Sequence, residues 1–182
     1  MKKVLGFFLL SSLILSACSN SSGLSDAAPV LPAKATLSVS GSLNEVKTYS
    51  SGDKKTQVAC IQDPGINFSE ITLQTKSDER TLSDNSNLLD QFELIFQSKE
   101  IPSGHIGIGS QTTGASMRYI IQSKSGAGTS NTFGPSSSNC DLDITRNSNK
   151  LSMDISCPQL ANSAGDQISI KAHVECSIFQ MN

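Results

Sequence analysis

The segment from Ile168 to Ile178 constrains the fold more than any other part of the chain. Apolar side chains occupy every second position and polar ones the positions between: Ile168, Ile170, Ala172, Val174, Cys176 and Ile178 against Ser169, Lys171, His173, Glu175 and Ser177. Successive side chains of a strand point to opposite faces of a sheet. The segment is therefore predicted to be a strand with one face on a core and the other in water.

The same alternation recurs in shorter runs along residues 35–182. Examples are Leu37 with Val39, Ile71 with Leu73, and Met117 with Tyr119. Turn-forming triplets separate such runs, namely Ser51-Gly52-Asp53, Asp63-Pro64-Gly65, Pro102-Ser103-Gly104 and Asn147-Ser148-Asn149. We expect an all-β domain over 35–182, an antiparallel β-sandwich of about eight or nine short strands without crossover helices.

Two segments are less regular. Leu88, Leu89 and Phe92 begin an apolar stripe of helical spacing, but Phe-Glu-Leu-Ile-Phe at 92–96 has strand composition. We favour a strand over 92–97, preceded by a helical turn. Residues 123–139 are rich in Gly, Ser and Asn, and we interpret them as a mobile connection.

The amino-terminal residues have the layout of a secretory signal. Lys2 and Lys3 precede an apolar run from Val4 to Leu15, and small residues follow it. The run is shorter than the roughly 20 residues that a membrane-spanning helix needs. We therefore expect a signal peptide at 1–17 and a flexible, small and polar tether at 19–34.

Leu15-Ser16-Ala17-Cys18 resembles the lipobox of bacterial lipoproteins. The resemblance implies that the Cys18 thiol is acylated and that Cys18 becomes the first residue of the mature protein. Two or more acyl chains would hold the domain on a membrane, whereas one chain binds only marginally. Ser19, in place of the Asp that retains such proteins at the inner membrane, implies the outer membrane if the cell is Gram-negative.

Each of four further cysteines lies at an even spacing from the apolar residues of its segment and so on the predicted core face: Cys60, Cys140, Cys157 and Cys176. An even number in an exported domain predicts two disulfides, for which three connectivities are possible. A hairpin turning at Ser148-Asn149 would place Cys140 opposite Cys157. This register favours Cys140–Cys157 with Cys60–Cys176, without excluding the other connectivities.

The order of motifs resembles the mycobacterial 19-kDa lipoprotein antigen family. The matching pieces are Val58-Ala59-Cys60 with Gly65, Gly107-Ile108-Gly109, Ser116-Met117-Arg118-Tyr119, and the strand from Ile168 to Cys176. The resemblance implies an envelope surface antigen or adhesin-like protein and supports the Cys60–Cys176 pairing. Cys140 and Cys157 are additional to the single pair of that family.

The sequence predicts no catalytic residue, cofactor or metal. We expect His173 to face solvent on its strand, and the glycines around His105 to serve backbone packing. The acidic residues Asp78, Glu79, Asp84 and Asp90 lack the spacing of a calcium-binding loop, so we expect a solvated loop. With 14 basic and 16 acidic residues and no basic cluster, nucleic acid is not an expected partner.

These patterns together predict a membrane-anchored envelope lipoprotein with a binding or structural role. Its expected contacts are the membrane, through acyl chains on Cys18, and a protein partner in the envelope or on a host surface. The first alternative is a periplasm-facing accessory lipoprotein of an envelope complex. An envelope hydrolase that depends on His105 or His173 is the second.

Overall fold

The computed structural model describes residues 32–181 apart from 54, 76–87, 110–113, 124–130 and 137–139. The described residues form twelve strands. They contain no helix that is long and apolar enough to cross a membrane. The strands are β1 (Ala33–Gly41), β2 (Glu45–Ser50), β3 (Thr56–Asp63), β4 (Phe68–Thr75), β5 (Leu88–Phe96), β6 (Gly104–Ile108), β7 (Ala115–Ser123), β8 (Asn131–Pro135), β9 (Cys140–Asn147), β10 (Lys150–Ala161), β11 (Gln167–Ser177) and β12 (Phe179–Gln180).

The alternating pattern decides which side chains enter the core. On β11 the apolar positions from Ile168 to Cys176 are buried, and the polar positions between them are half-buried or exposed. One continuous core holds apolar side chains from both halves of the chain, including Leu37, Phe92 and Met153. The expectation of an all-β domain is confirmed.

The predicted sandwich is corrected to one curled sheet. Ten strands follow a continuous hydrogen-bonded path, β12-β3-β4-β5-β7-β8-β10-β11-β1-β2, which bends into a half-barrel, while β9 pairs with β10 and β6 with β9. The strand β8 connects the two parts of the sheet, because Phe133 pairs with Tyr119 of β7 and Gly134 with Ala161 of β10. It lies within the segment that we interpreted as a mobile connection, so part of that interpretation was wrong.

The segment with both helical and strand patterns is a strand throughout. β5 runs from Leu88 to Phe96 and pairs in register with both β4 and β7. Phe92, Leu94 and Phe96 point into the core, as alternation requires. The helical turn expected before residue 92 is absent from the described residues, because pairing with β7 already begins at Leu88.

The hairpin of β9 and β10 has the register that the sequence predicts. Leu142 pairs with Ile155 and Ile144 with Met153, and the turn lies at Ser148-Asn149. Ser148 adopts a φ of 54°, a left-handed conformation that two-residue hairpins use. Farther along β10 the pairing with β11 shifts between Cys157 and Leu160. Pro158 lies within this irregularity and cannot donate a ladder hydrogen bond.

Of the two expected disulfides, the described residues form one. Cys60 and Cys176 are bonded, whereas Cys140 and Cys157 are buried free thiols, so the expected Cys140–Cys157 bridge is wrong. The last observed pair of β9 and β10 is Asp141 with Ser156, and extending this register by one residue places the two cysteines opposite each other. Directly opposed residues have Cβ atoms about 4.5–5.5 Å apart. A disulfide needs about 3.8 Å, so the relaxed ladder favours two thiols.

Candidate functional site

The predicted site residues are distributed over separate regions. Cys18, the expected lipidation site, lies outside the described residues, as do Asp78, Glu79 and Asp84 of the acidic loop. Cys60 and Cys176 form a disulfide with their Cα atoms 6.3 Å apart. It joins β3 to β11, which are not neighbours in the sheet, and closes a separation of 116 residues. A bridge over so long a loop stabilises a fold by roughly 2–5 kcal/mol.

The chain enters the fold beside this disulfide. The carbonyl of Pro32 accepts a hydrogen bond of 3.2 Å from the backbone N–H of Ser177, and Ala33 pairs with Cys176. An open groove of about 760 Å³ lies there and is lined by residues that include Pro32, Lys34, Lys150 and Cys176. The start of β1 is therefore held by a strand ladder and lies beside a covalent bond.

The two free thiols are packed together in the core. A hydrogen bond between Cys157 and Cys140, reinforced by burial, holds the pKa of the Cys157 thiol well above its usual value. The Cys157 Sγ lies 3.5 Å from the Met117 Sδ on the facing strand β7. Thiolates are the nucleophilic and metal-binding form of cysteine. This pair is therefore suited to packing rather than to chemistry.

A buried polar cluster surrounds Asp90, which the sequence placed in a solvated loop. That expectation is wrong: Asp90 is 3% exposed on β5 and accepts hydrogen bonds from the hydroxyls of Tyr49 and Tyr119. The Thr75 hydroxyl also donates to it, and the Lys47 Nζ lies 3.3 Å from its Oδ2. Because four groups contact this carboxylate, its burial is compensated.

The parity of β5 contains the signal for this cluster. Asp90 shares its inward parity with Phe92, Leu94 and Phe96, so extending the strand back by two residues points its carboxylate into the core. Its position in the sequence instead groups Asp90 with the acidic residues that precede it, which leads to the prediction of a solvated loop. Sequence reasoning also missed Tyr49 as a core residue that would reach it.

The two tyrosines act only as hydrogen-bond donors. Burial, followed by the nearby Asp90 carboxylate, raises the pKa of Tyr49 and of Tyr119 far above 10. Neither phenol ionises near neutral pH, so neither supplies a nucleophile or a base. The cluster can join strands, since its members lie on β2, β4, β5 and β7.

A row of charged side chains crosses the outer face of the sheet. His105, Asp143, Asp154 and His173 stand opposite one another on β6, β9, β10 and β11. The Nδ1 of His105 lies 2.9 Å from Asp143, and the Nδ1 of His173 lies 2.7 Å from Asp154. His173 faces solvent as expected. The row places an imidazole on each side of two opposed carboxylates.

The carboxylates raise the affinity of both histidines for protons. The hydrogen bond that Asp143 accepts from His105 raises the pKa of His105, and the one that Asp154 accepts from His173 raises the pKa of His173. The second ring nitrogens also face carboxylates, with the His105 Nε2 3.7 Å from Asp141 and the His173 Nε2 3.6 Å from Glu175. A hydrolytic triad needs a hydroxyl at that nitrogen. The arrangement is therefore suited to ion pairing.

Metal-ligating side chains do not converge on a common point in the part of the chain that the structure describes. Groups of three or more His, Cys, Asp or Glu side chains with suitable geometry are absent there. Within the row, each histidine already contacts its own aspartate. The row therefore offers a charged surface and not a coordination site.

Comparison with known proteins gives no relative. Neither a family model, nor a curated protein, nor a solved structure matches this chain.

Proposed function

We propose that this protein is a bacterial cell-envelope lipoprotein, anchored through acyl chains on Cys18, whose β-domain acts by binding or by structural presence. The expected role is that of a surface antigen or adhesin-like protein. The lipobox at 15–18 and the resemblance to the mycobacterial 19-kDa lipoprotein antigen family support this proposal. In a Gram-negative cell, Ser19 favours the outer membrane.

The observation that carries the proposal is the disulfide between Cys60 and Cys176. Disulfides form and persist in exported proteins and are rare in the cytosol. A signal peptide followed by a lipobox supplies the export route that such a bond requires. Two independent features of the chain thus favour the same compartment.

A binding role is supported by the surface that the fold presents. The outer face of β9, β10 and β11 carries alternating carboxylate and cationic groups, among them Asp143, Asp154, Lys171 and His173. Charged surfaces of this kind favour specific orientation of a partner and fast encounter. The expected partner is a protein of the envelope or of a host surface.

Protease treatment of intact cells, followed by immunodetection, tests this role and its rival. Digestion of the domain in intact cells supports surface display. Protection in intact cells, with digestion after lysis, would contradict display and favour the periplasm-facing accessory lipoprotein. A cytoplasmic protein used as a protected marker controls for lysis.

A hydrolase is the remaining alternative and has its own test. Loss of turnover on His105→Gln or His173→Gln, with the fold unchanged by circular dichroism, would support it. Envelope esters and short peptides are suitable substrates for that assay. The binding proposal expects no turnover of such substrates by the wild-type protein, so neither variant should change it.

A further inference from the structure

Gln62 has a polar side chain that is buried without a partner. It lies on β3, is 0% exposed, and neither its Oε1 nor its Nε2 has a hydrogen-bond partner among the described residues. Its neighbours on the same strand face, Val58 and Cys60, are apolar and buried. Buried amides are almost always hydrogen-bonded, so this exception requires an explanation.

Gln62 is one of the residues that line a cavity at one end of the sheet. The cavity has a volume of about 370 Å³ and lies between β3, β12 and the β9–β10 turn. This volume lies within the range of small-ligand pockets in proteins, about 300–1,000 Å³. Its lining residues are Gln62, Arg146, Ser148, Asn149, Ile178 and Gln180.

The charge in this cavity is already balanced. The Arg146 Nη1 lies 2.7 Å from a carboxylate oxygen of Glu100, and its Nε donates to the Ser148 carbonyl at 3.1 Å. A ligand therefore does not have to bring a negative charge. The group left without a partner is a neutral amide with one acceptor oxygen and two donor hydrogens.

We infer that this cavity binds a primary carboxamide, which pairs with the Gln62 side chain through two hydrogen bonds. A primary carboxamide presents a donor and an acceptor on the same side, in the arrangement that a second amide complements. A trans peptide group presents them on opposite sides, and a carboxylate has no donor. A primary carboxamide is supplied by an Asn or Gln side chain or by a free small amide.

Entry of the ligand requires one lining side chain to move, because both polar atoms of Gln62 are buried. Gln180 is exposed and lines the same cavity. It belongs to β12, which pairs with β3 over only two residues. Because Gln180 pairs with Gln62 in the β12–β3 register and lines the same cavity, we expect rotation of its side chain to expose the Gln62 amide.

The test follows the side-chain amide signal of Gln62 by nitrogen-15 NMR in the mature chain in micelles. The probes are blocked glutamine (the N-acetyl methylamide) and propionamide, with the methyl ester of blocked glutamate as matched control. We expect saturable shifts with a dissociation constant on the order of millimolar, as for other ligands of this size. The ester, which lacks the donor, should bind at least about tenfold more weakly. Tighter binding of blocked glutamine than of propionamide would identify a peptide side chain as the source, and equal binding a small amide.

Gln62→Leu removes both hydrogen-bonding groups at similar volume, and Gln57→Leu is the matched control on the exposed face of β3. In Gln62→Leu the Gln62 amide signal is lost, so probe binding is followed by the backbone amide signals of Ser148 and Asn149, which line the same cavity. We expect this variant to show no saturable shift, while its melting temperature stays equal or rises because an unpaired buried amide is lost. Gln57→Leu should bind normally. Absence of a saturable shift in the wild-type protein, or equal binding by Gln62→Leu, would overturn the inference. This test is independent of acylation, so it can fail while the envelope role stands.

Discussion

The Tyr49 hydroxyl, on β2 at one end of the strand path, donates a hydrogen bond to the buried carboxylate of Asp90 on β5. These strands are far apart along the sheet and meet only because it curls. The disulfide between Cys60 and Cys176 spans the same fold between β3 and β11. The buried carboxylate of Asp90 and the Cys60–Cys176 bond thus both hold the half-barrel together, in addition to its apolar core.

Asp90→Ala should be severely destabilising, because it leaves the hydroxyls of Tyr49 and Tyr119 and the ammonium of Lys47 without their acceptor. We expect a loss of about 3–5 kcal/mol in the free energy of unfolding. Tyr49→Phe removes one hydrogen bond to a charged group and should cost about 1.5–3 kcal/mol. Urea unfolding followed by circular dichroism measures both. Wild-type stability of Asp90→Ala would contradict the observed network.

The tyrosines should resist alkaline titration. The chain has two tyrosines, and burial beside Asp90 raises the pKa of both above the unfolded value of 10. A raised pKa contributes stability that is present below pH 10 and is lost as the pH rises further. Ultraviolet absorbance of tyrosinate should therefore stay flat until the protein unfolds, and then both tyrosines should ionise together. Ionisation of a tyrosine near its ordinary pKa with the fold intact would show that the phenol is exposed.

Counting reactive thiols distinguishes the observed state, one disulfide and two free cysteines, from a state with two disulfides. Cys140 and Cys157 are buried free thiols. An alkylating reagent should therefore leave them unmodified in the native protein and label two thiols in denaturant without reductant. Mass spectrometry of the peptides that contain them provides the readout, and the bridged Cys60–Cys176 peptide is the internal control. A bridged Cys140–Cys157 peptide in freshly purified protein would refute this assignment.

The pairing of His173 with Asp154 should make stability depend on pH. Because Asp154 raises the pKa of His173 above 6.5, the protonated histidine favours the folded state. This contribution is complete below pH 6.5 and disappears as the pH rises through the raised pKa. His173→Gln should therefore lower stability more at about pH 5.5 than at about pH 8. An Asp154→Asn variant should show an NMR-measured His173 pKa closer to 6.5, and an unchanged value would contradict the contact.

Strand periodicity predicts the local structure of this chain well, but it does not predict how the strands join. The burial of β11 and the β9–β10 register follow from alternation and from a two-residue turn. The single curled sheet depends on β8, a five-residue strand in a Ser- and Gly-rich segment. Its composition favours a loop, and only pairing with β7 and β10 makes it a strand.

The limits of prediction for individual sites also have physical causes. The alternating pattern places Cys140 and Cys157 on the same face and opposite each other, but it does not show whether their Cβ atoms come as close as a disulfide needs. Asp90 looks solvated among its acidic neighbours, because tyrosine partners from distant strands are not visible in the sequence. Gln62 shows the same limit, since inward parity gives no indication that its amide lacks a partner.

Mass spectrometry of the mature amino-terminal peptide, with Cys18→Ala as the control, tests the envelope-lipoprotein account most directly. Anchoring through Cys18 predicts a first residue Cys18 that carries a diacylglyceryl group, and an unprocessed precursor in the Cys18→Ala variant. A mature chain that begins elsewhere, with a free Cys18 thiol or without Cys18, would contradict membrane anchoring through this residue.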